Sequence, residues 1–328
     1  SANTPPPSTR RHILQQTAGW VALGGMMGPA TATVTETTSS IKPIAILGAS
    51  GRTGALCVVA CLAQGLPVRA CTRTGTWTAP IHPIQGFDVD SSPLTKDAMN
   101  LLLDVRACNV QDPDALLESI QGCRAVIYAA SASKQGGSPT AIDDVGAVAA
   151  ARACCDAGVP RYVLISSTAT TRPNSLGYQF TNVFSSGGIM DAKRRGELGV
   201  AQVYRDVSAQ NDSNNKICSY SVIRPGGLEE PKRNAVLGPS ALEVSQGDVL
   251  AGVISRADLA VFSVSLATVA SSRNNLRNTA LELYYTESVT PVEGKFAKLL
   301  QSNAVPRYHG STYDELFQQV QPHVDYYS

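Results

Sequence analysis

Three glycines spaced G-x-x-G-x-x-G (Gly48, Gly51 and Gly54) follow directly on the apolar run Pro43-Ile44-Ala45-Ile46-Leu47. They lead straight into a helix-compatible segment, Ala55–Ala63. A strand, a glycine turn and a helix in immediate succession set a dinucleotide pyrophosphate on a helix N-terminus. Gly48 permits the tight turn off the strand, Gly51 lets phosphates approach the backbone, and Gly54 lets the helix pack on the sheet. The free N–H groups of the first helical turn and the helix dipole favour the anion. A bare triplet is a weak signal; its place between a β-run and a helix gives it meaning.

A length of 328 residues holds one large domain or two small ones. A hydrophobic content of 43% against 16% charge supplies a full core and excludes general disorder. The net charge of +1 gives no reason to expect a nucleic-acid partner. No stretch after residue 40 is long and apolar enough to span a bilayer. The eight cysteines form no C-x-x-C pair and no zinc-spaced cluster, so no metal site is expected. They read as reduced core thiols, with a redox role for the vicinal pair Cys154-Cys155 as the alternative.

Residues 1–40 differ from the rest. Arg10-Arg11, an apolar run from Ile13 to Met27, and Pro29-Ala30-Thr31-Ala32 follow in the order of a targeting signal, with no acid before Glu36. The paired arginines fit a twin-arginine signal, and the Ser-rich, acid-poor composition fits an organellar transit peptide. The chain opens on Ser1 rather than Met, as a processed or truncated chain does. A plastid address, with the thylakoid as a destination inside it, is the favoured reading. Mitochondrion, cytoplasm and a plain disordered tail are the alternatives.

From Ile41 onward short apolar strands alternate with helical patterns. Strands are expected at Ile44–Leu47, Val68–Thr72, Val105–Val110, Ala125–Ala130, Tyr162–Ser166 and Tyr220–Arg224. Helices are expected at Ala55–Ala63, Lys96–Leu103, Ala115–Ile120, Ala141–Ala157, Ile189–Tyr204 and Arg256–Ala270. Asp112 and Pro113 suit the cap and first position of the third helix. Residues 205–217 read as an exposed insertion, and helical patterns recur at Glu293–Gln301 and Tyr313–Val320. His309 and His323 there show no partners and read as surface histidines. The order predicts an α/β fold: a doubly wound parallel sheet, the Rossmann fold, with a small C-terminal extension on the substrate side. The expected divisions are a targeting segment or tail over 1–40, a Rossmann domain over 41–287, and a helical extension over 288–328 packed on the same domain.

The residue ending the second strand selects the coenzyme: an acid binds the ribose hydroxyls of NAD, a base the phosphate of NADP. Here the strand ends Cys71-Thr72-Arg73 with no acid nearby, and Arg52 lies within the glycine loop. Two guanidiniums beside one phosphate make charge-assisted bonds, so NADP is the expected cofactor. The alternative is that Arg73 is a solvated loop arginine.

These residues resemble the atypical short-chain dehydrogenase/reductases, above all the NmrA-like NAD(P)-binding branch, over roughly Ile41 to Glu287. Gly48-Ala49-Ser50-Gly51-Arg52-Thr53-Gly54 resembles its phosphate loop and Thr72-Arg73 its NADP-selecting position. Asn109-Val110-Gln111-Asp112 is similar to an Asp-Val-x-Asp motif bordering the adenine, with Asn109 in place of the acid. Ala129-Ala130-Ser131 lies where the fourth strand meets the coenzyme ribose, and Ile165-Ser166-Ser167 where a serine stands near the nicotinamide. Tyr220-Ser221-Val222-Ile223-Arg224-Pro225-Gly226-Gly227-Leu228 resembles the strand and turn beside the nicotinamide. Ile254-Ser255-Arg256-Ala257-Asp258-Leu259-Ala260 resembles the next helix start.

The resemblance implies cofactor contacts from the glycine loop, Arg73, Asn109, Val110, Ala129, Ala130, Ser131, Ser166, Lys193, Pro225, Gly226 and Gly227. It also implies a Tyr-x-x-x-Lys pair, in which the lysine lowers the tyrosine pKa and holds the ribose. Lys193 is present, but Ile189 occupies the tyrosine position. Lys193 holds the ribose, or acts itself as the acid/base, or is a surface lysine paired with Glu197 at i,i+4 spacing. Ser166, Ser167, Tyr178 and Tyr204 are the other candidate donors, and Lys193 and Ser167 the expected catalytic pair. The connection Thr168–Gly188 reads as a lid or substrate wall, or as a surface loop with its aromatics tucked inward.

The expected function is an NADP-dependent oxidoreductase passing hydride to or from a small or medium, partly apolar substrate. The alternative is a non-catalytic NADP-binding redox sensor, or an assembly or structural subunit. Association with a membrane or organellar complex is an open expectation, as is the oligomeric state.

Overall fold

The computed structural model of the protein describes residues 41–80, 100–133, 137–184, 187–210, 218–229, 236–269, 273–302 and 304–322. The targeting segment expected over 1–40 and the first half of the helix expected over Lys96–Leu103 lie outside these residues; of the rest, 100–102 are helical and Leu103 already opens the third strand.

Every residue of the first strand, β1 (Ile44–Leu47), is inaccessible to solvent. Ile44 and Ile46 join the core on one face of the sheet, Ala45 and Leu47 the core on the other. A strand covered on both faces reads as an unbroken apolar run. β2 (Val68–Thr72), β3 (Leu103–Ala107), β4 (Ala125–Tyr128), β5 (Arg161–Ile165) and β6 (Ser219–Pro225) follow, all paired in parallel. The third strand begins two residues before the expected Val105 and stops at Ala107. The chain turns there, with the Asp112 amide donating to the Asn109 carbonyl at 2.9 Å.

Helices cover the two faces. α1 (Arg52–Ala63) and α6 (Arg256–Thr268) share one core with the C-terminal helix α7 (Tyr313–Gln319). There Phe262 meets Phe317 edge-on, 5.3 Å between centroids. α2 (Pro113–Ile120), α3 (Ala147–Asp156) and α5 (Ile189–Gln210) cover the other face. The Asp112 carboxylate accepts from the Asp114 and Ala115 amides at 3.1 and 3.2 Å, the expected cap. Helix α5 runs into the expected insertion as far as Gln210; residues 211–217 lie outside the described set. A short helix, α4 (Leu176–Phe184), stands inside the Thr168–Gly188 connection.

The nine-stranded sheet has the order β13-β8-β11-β6-β5-β4-β1-β2-β3. The reversal between β1 and β4 is the switch point at which doubly wound folds bind ligands. Uniformly parallel pairing was the expectation, and one edge departs from it. β11 (Thr279–Tyr285) runs parallel to β6, but β8 (Leu242–Ser245) and β13 (Arg307–Tyr308) are antiparallel. Among the described residues, β8 follows the 3-10 turn Pro239–Ala241 and β13 the 3-10 helix Gly294–Gln301, with no crossover α-helix directly before either. Two small ribbons, β7 (Gly227–Leu228) with β10 (Val253–Ile254) and β9 (Leu250–Ala251) with β12 (Thr290–Pro291), brace the same end. At the opposite edge β3 carries Asp104, whose carboxylate pairs with both Arg106 on the same strand and Arg69 on β2.

Residues 288–322 pack on this antiparallel edge. Gly294–Gln301, expected as an ordinary helix, is a 3-10 helix, and α7 occupies Tyr313–Gln319. His309 has a partner after all: its Nε2 lies 3.4 Å from Glu243 Oε2, with half the side chain exposed. His323 lies outside the described residues. Among the cysteines, Cys154 is fully buried, and Cys155 and Cys218 are half-buried.

Asp258 ties the C-terminal half together. Its carboxylate accepts from the Leu237 and Gly238 amides at 3.0 and 2.9 Å and from the Tyr285 hydroxyl at 2.7 Å. Ser255 caps the same helix by accepting from the Asp258 amide at 3.0 Å. Asp258→Ala strips the acceptor from four donors, the Ser255 hydroxyl included, two of them backbone. We expect a loss of about 3 kcal/mol of unfolding free energy, read as a lower urea midpoint at unchanged slope.

Candidate cofactor site

Each motif singled out above lies at the C-terminal end of a parallel strand. Gly48 follows β1, Arg73 follows β2, Asn109 lies just beyond β3, Ala129 follows β4, Ser166 follows β5, and Pro225 ends β6. One rim therefore collects them, with the glycine loop at the switch point.

Close approach explains the loop's composition. Gly48 has φ +83°, and a Cβ there would stand 2.7 Å from the Ala130 backbone, across the crevice between β1 and β4. A Cβ on Gly54 would stand 2.2 Å from the Gly48 carbonyl oxygen. No larger residue fits either position.

The start of α1 is arranged for an anion. Asp112, Ser255 and Thr312 cap α2, α6 and α7 with their side chains; α1 has no side-chain cap and no acid in its first turn. Its first residue is instead a cation, Arg52, at the positive end of the helix dipole, which is unfavourable until an anion joins it. Arg52 and Arg73 are both exposed, and neither makes a hydrogen bond or ion pair among the described residues. These are features that an anionic diphosphate would satisfy. Asn109 is exposed and Val110 buried at the turn after β3.

A second cluster forms between β4, β5 and α5. Thr140–Gly146 is a π-helical turn leading into α3, in place of the continuous α-helix expected from Ala141. Widened turns of this kind recur at functional sites. Asp143 points inward from it and is 4% exposed. Its Oδ1 accepts from the Ser131 hydroxyl at 2.6 Å, and its Oδ2 from the Ala132 amide at 2.8 Å. Lys193 Nζ stands 2.8 Å from the same Oδ1. A Cβ on Gly196, one turn past Lys193, would stand 2.2 Å from the Asp143 carbonyl oxygen, so glycine lets α5 come this close. Lys193, Asp143, Ser166, Tyr128 and Ala130 line a narrow crevice here. The i,i+4 pairing of Lys193 with Glu197 is thereby overturned: each has another partner.

Glu197 turns the other way, under Ser166. It accepts the Ser166 hydroxyl in a short hydrogen bond and the Thr170 hydroxyl at 3.0 Å. Arg224 Nη2 pairs with it at 2.7 Å, and Arg224 Nη1 reaches Glu282 at 3.2 Å. All three charged side chains are fully buried. Burial pushes the Glu282 carboxyl up to about 8, against the lowering pull of Arg224.

The other expected proton donors are committed elsewhere. Ser167 donates to the Thr168 carbonyl at 3.2 Å. The Tyr178 hydroxyl donates to Asp191, and burial with that carboxylate pushes it up to about 12. Tyr204 is buried against Tyr220 in the core on the α5 face. Ile189 packs with Ala169, Tyr178 and Met190. The connection carrying Tyr178 is pinned to Asp248, which accepts from the Ala169 and Thr171 amides at 2.6 and 2.8 Å. Its helix α4 leaves Leu176, Phe180 and Val183 exposed.

Sequence reasoning named Glu197 and Arg224 without their buried pairing, and missed Asp143 and Trp77, whose indole N–H donates to the Ala49 carbonyl at 3.0 Å. Three of them had a visible mark: vicinal acids opening an alanine-rich helix, an acid one turn beyond the lysine, and a lone arginine in an apolar strand.

Fold and rim together define a Rossmann protein built to bind a nicotinamide dinucleotide, with an oxidoreductase-like architecture. The chain belongs to the NAD(P)H-binding family, whose model matches residues 48–269. The NAD(P)-binding character read from the motifs is borne out at the level of this family. An uncharacterized chloroplastic protein of Arabidopsis thaliana is 29% identical over 215 residues, 62% of this chain. The match spans 66% of that relative's length. The oxidoreductase YlbE from Lactococcus lactis has a similar fold, with a TM-score of 0.52 at 17% identity over 79% of this chain and 97% of its own. ChuY, an anaerobilin reductase from Escherichia coli O157:H7, aligns with a TM-score of 0.50 at 17% identity, over 75% of this chain and 98% of its own.

The buried Glu282 carboxyl makes a pH prediction. Folding raises its pKa from the ordinary 4.5 to about 8, so the folded state holds the proton more tightly. Its stabilising contribution is complete below the ordinary value and is lost as pH climbs towards 8. Unfolding free energies of wild type and Glu282→Gln, compared from pH 5 to 9, should diverge over that window and run parallel above it.

Proposed function

We propose that the protein is an NADP(H)-dependent oxidoreductase of the atypical short-chain type, acting on a small or medium, partly apolar substrate. The observation that carries this is the pair of exposed guanidiniums, Arg52 and Arg73, without partners among the described residues, flanking a helix N-terminus that has no side-chain cap, with no acid at the end of β2. Ser50, Gly51, Arg52, Thr53 and Gly54 would hold the diphosphate and Arg73 the 2′-phosphate. Asn109 and Val110 would border the adenine. Ala129, Ala130 and Ser131 would line the ribose, with Lys193 bonding its hydroxyls and Asp143 orienting Lys193. Ser166, Ser167, Pro225, Gly226 and Gly227 would border the nicotinamide. When bound, the nicotinamide supplies a hydride donor or acceptor, and the protein supplies orientation and electrostatics.

A second reading, a non-catalytic NADP(H) sensor or a structural or assembly subunit, draws on a specific observation. Ile189 stands in the tyrosine position, and the nearby hydroxyls of Ser166 and Tyr178 already donate to carboxylates. The chloroplastic relative and the arginine-led, acid-poor N-terminal segment favour a plastid setting, with association at a membrane or organellar complex within it. The charge balance argues against nucleic acid as a partner.

Arg73→Ala should weaken NADPH binding roughly ten- to hundredfold in isothermal titration and leave NADH nearly untouched. Equal effects on the two would remove Arg73 from phosphate recognition. Deuteride transfer from labelled NADPH across a panel of carbonyl and enone substrates separates enzyme from sensor. Turnover that disappears in Lys193→Ala, with NADPH still bound at saturation, is the outcome expected of the enzyme.

A further inference from the structure

Residue Ala49 lies at the start of the glycine loop and is held from two directions. Its N–H donates to the Cys71 carbonyl at 3.1 Å, beside a Gly48 amide donating to the same oxygen at 3.2 Å. Its carbonyl accepts the Trp77 indole N–H at 3.0 Å. Cys71 and Trp77 bracket Arg73 in the chain. Between them a tight turn closes on itself: the Thr72 hydroxyl donates to the Thr76 carbonyl at 3.0 Å, and the Thr74 and Thr76 hydroxyls bond at 2.8 Å. Arg73 is left exposed on this turn, and the half-buried indole packs on the core that contains Ala49.

We propose that Trp77 is a positioning residue for coenzyme selection: its N–H locks the turn carrying Arg73 to the diphosphate loop, so the two phosphate sites keep a fixed spacing. This rests on the NADP(H) reading above. The physical reason is preorganisation. An arginine on a free turn pays for ordering when it binds phosphate, whereas one on a turn hydrogen-bonded at both ends is already placed. The indole also excludes water from the Ala49 carbonyl, which strengthens that bond. Such a device favours ligands carrying both a diphosphate and a neighbouring phosphate monoester over those carrying the diphosphate alone.

Trp77→Phe keeps most of the ring and removes the donor. Titration of NADPH, NADH and 2′,5′-ADP against wild type and this variant should show NADPH and 2′,5′-ADP weakened about five- to tenfold. NADH should change far less, so that the NADPH/NADH preference falls at least threefold. In the Arg73→Ala background the same substitution should leave the preference where Arg73→Ala alone put it, because the arginine it positions is gone. Trp20 and Trp77 are the two tryptophans of the chain, so Trp20→Phe isolates the Trp77 emission, which saturating 2′,5′-ADP should shift or quench. Equal changes for NADPH and NADH, an unchanged preference, or an emission indifferent to 2′,5′-ADP would overturn the proposal while wild type still prefers NADPH. A wild type that binds neither dinucleotide overturns the cofactor reading along with it.

Discussion

The buried ion pair between Arg224 and Glu197 is the contact on which the reactive end of the site depends. Removing two charges from water is costly, and only the close, multiply bonded geometry here offsets it. Because Glu197 lies one turn beyond Lys193, fixing it to β6 also fixes the rotation of α5 about its own axis. Lys193 then has one direction to point, towards Asp143. The same carboxylate holds Ser166 and Thr170, so the segment leaving β5 is bound to the helix rather than free in solvent. One buried guanidinium thus orders a strand, a helix and a loop start.

The two ends of the rim are built on opposite principles. At the glycine loop, side chains are excluded so that backbone can meet backbone and, in our reading, phosphate. At the β4–β5 crevice, polar side chains are packed in and each is given a partner. Asp143 mediates between them, because the segment it grips, Ser131–Ala132, directly follows the Ala130 that presses against Gly48. The cost is that few groups remain free to move a proton, which is why binding is easier to read here than catalysis.

What the sequence disclosed follows from how local each signal is. The β1 run, the glycine spacing, the Asp112-Pro113 start and the helix start at Arg256 depend on neighbours within a few residues, and all were legible. β8 and β11 were not. Their patterns place Glu243 and Glu282 at positions that turn out to be fully buried, and a strand with an unexplained central acid looks like surface. The acids are tolerated because Arg307 and Arg224 arrive from distant segments, a fact with no local trace. The π-turn escaped for a related reason: an alanine-rich pattern predicts a helix but not the widened turn that aims Asp143. Lys193 was recognisable from its motif, while its true partner lay fifty residues upstream.

The manner in which the sheet ends has a consequence for the protein in a crowded compartment. An open sheet exposes unpaired backbone groups along both margins, and another chain's strand can add there. Here one margin is β13, two residues long and carrying Arg307. The other is β3, which carries Asp104, ion-paired with both Arg69 and Arg106. A strand approaching on either side would find too little length to pair with or would have to strip water from charges. Among the described residues the nine-stranded sheet therefore ends, on each side, in a strand that is a poor template for aggregation.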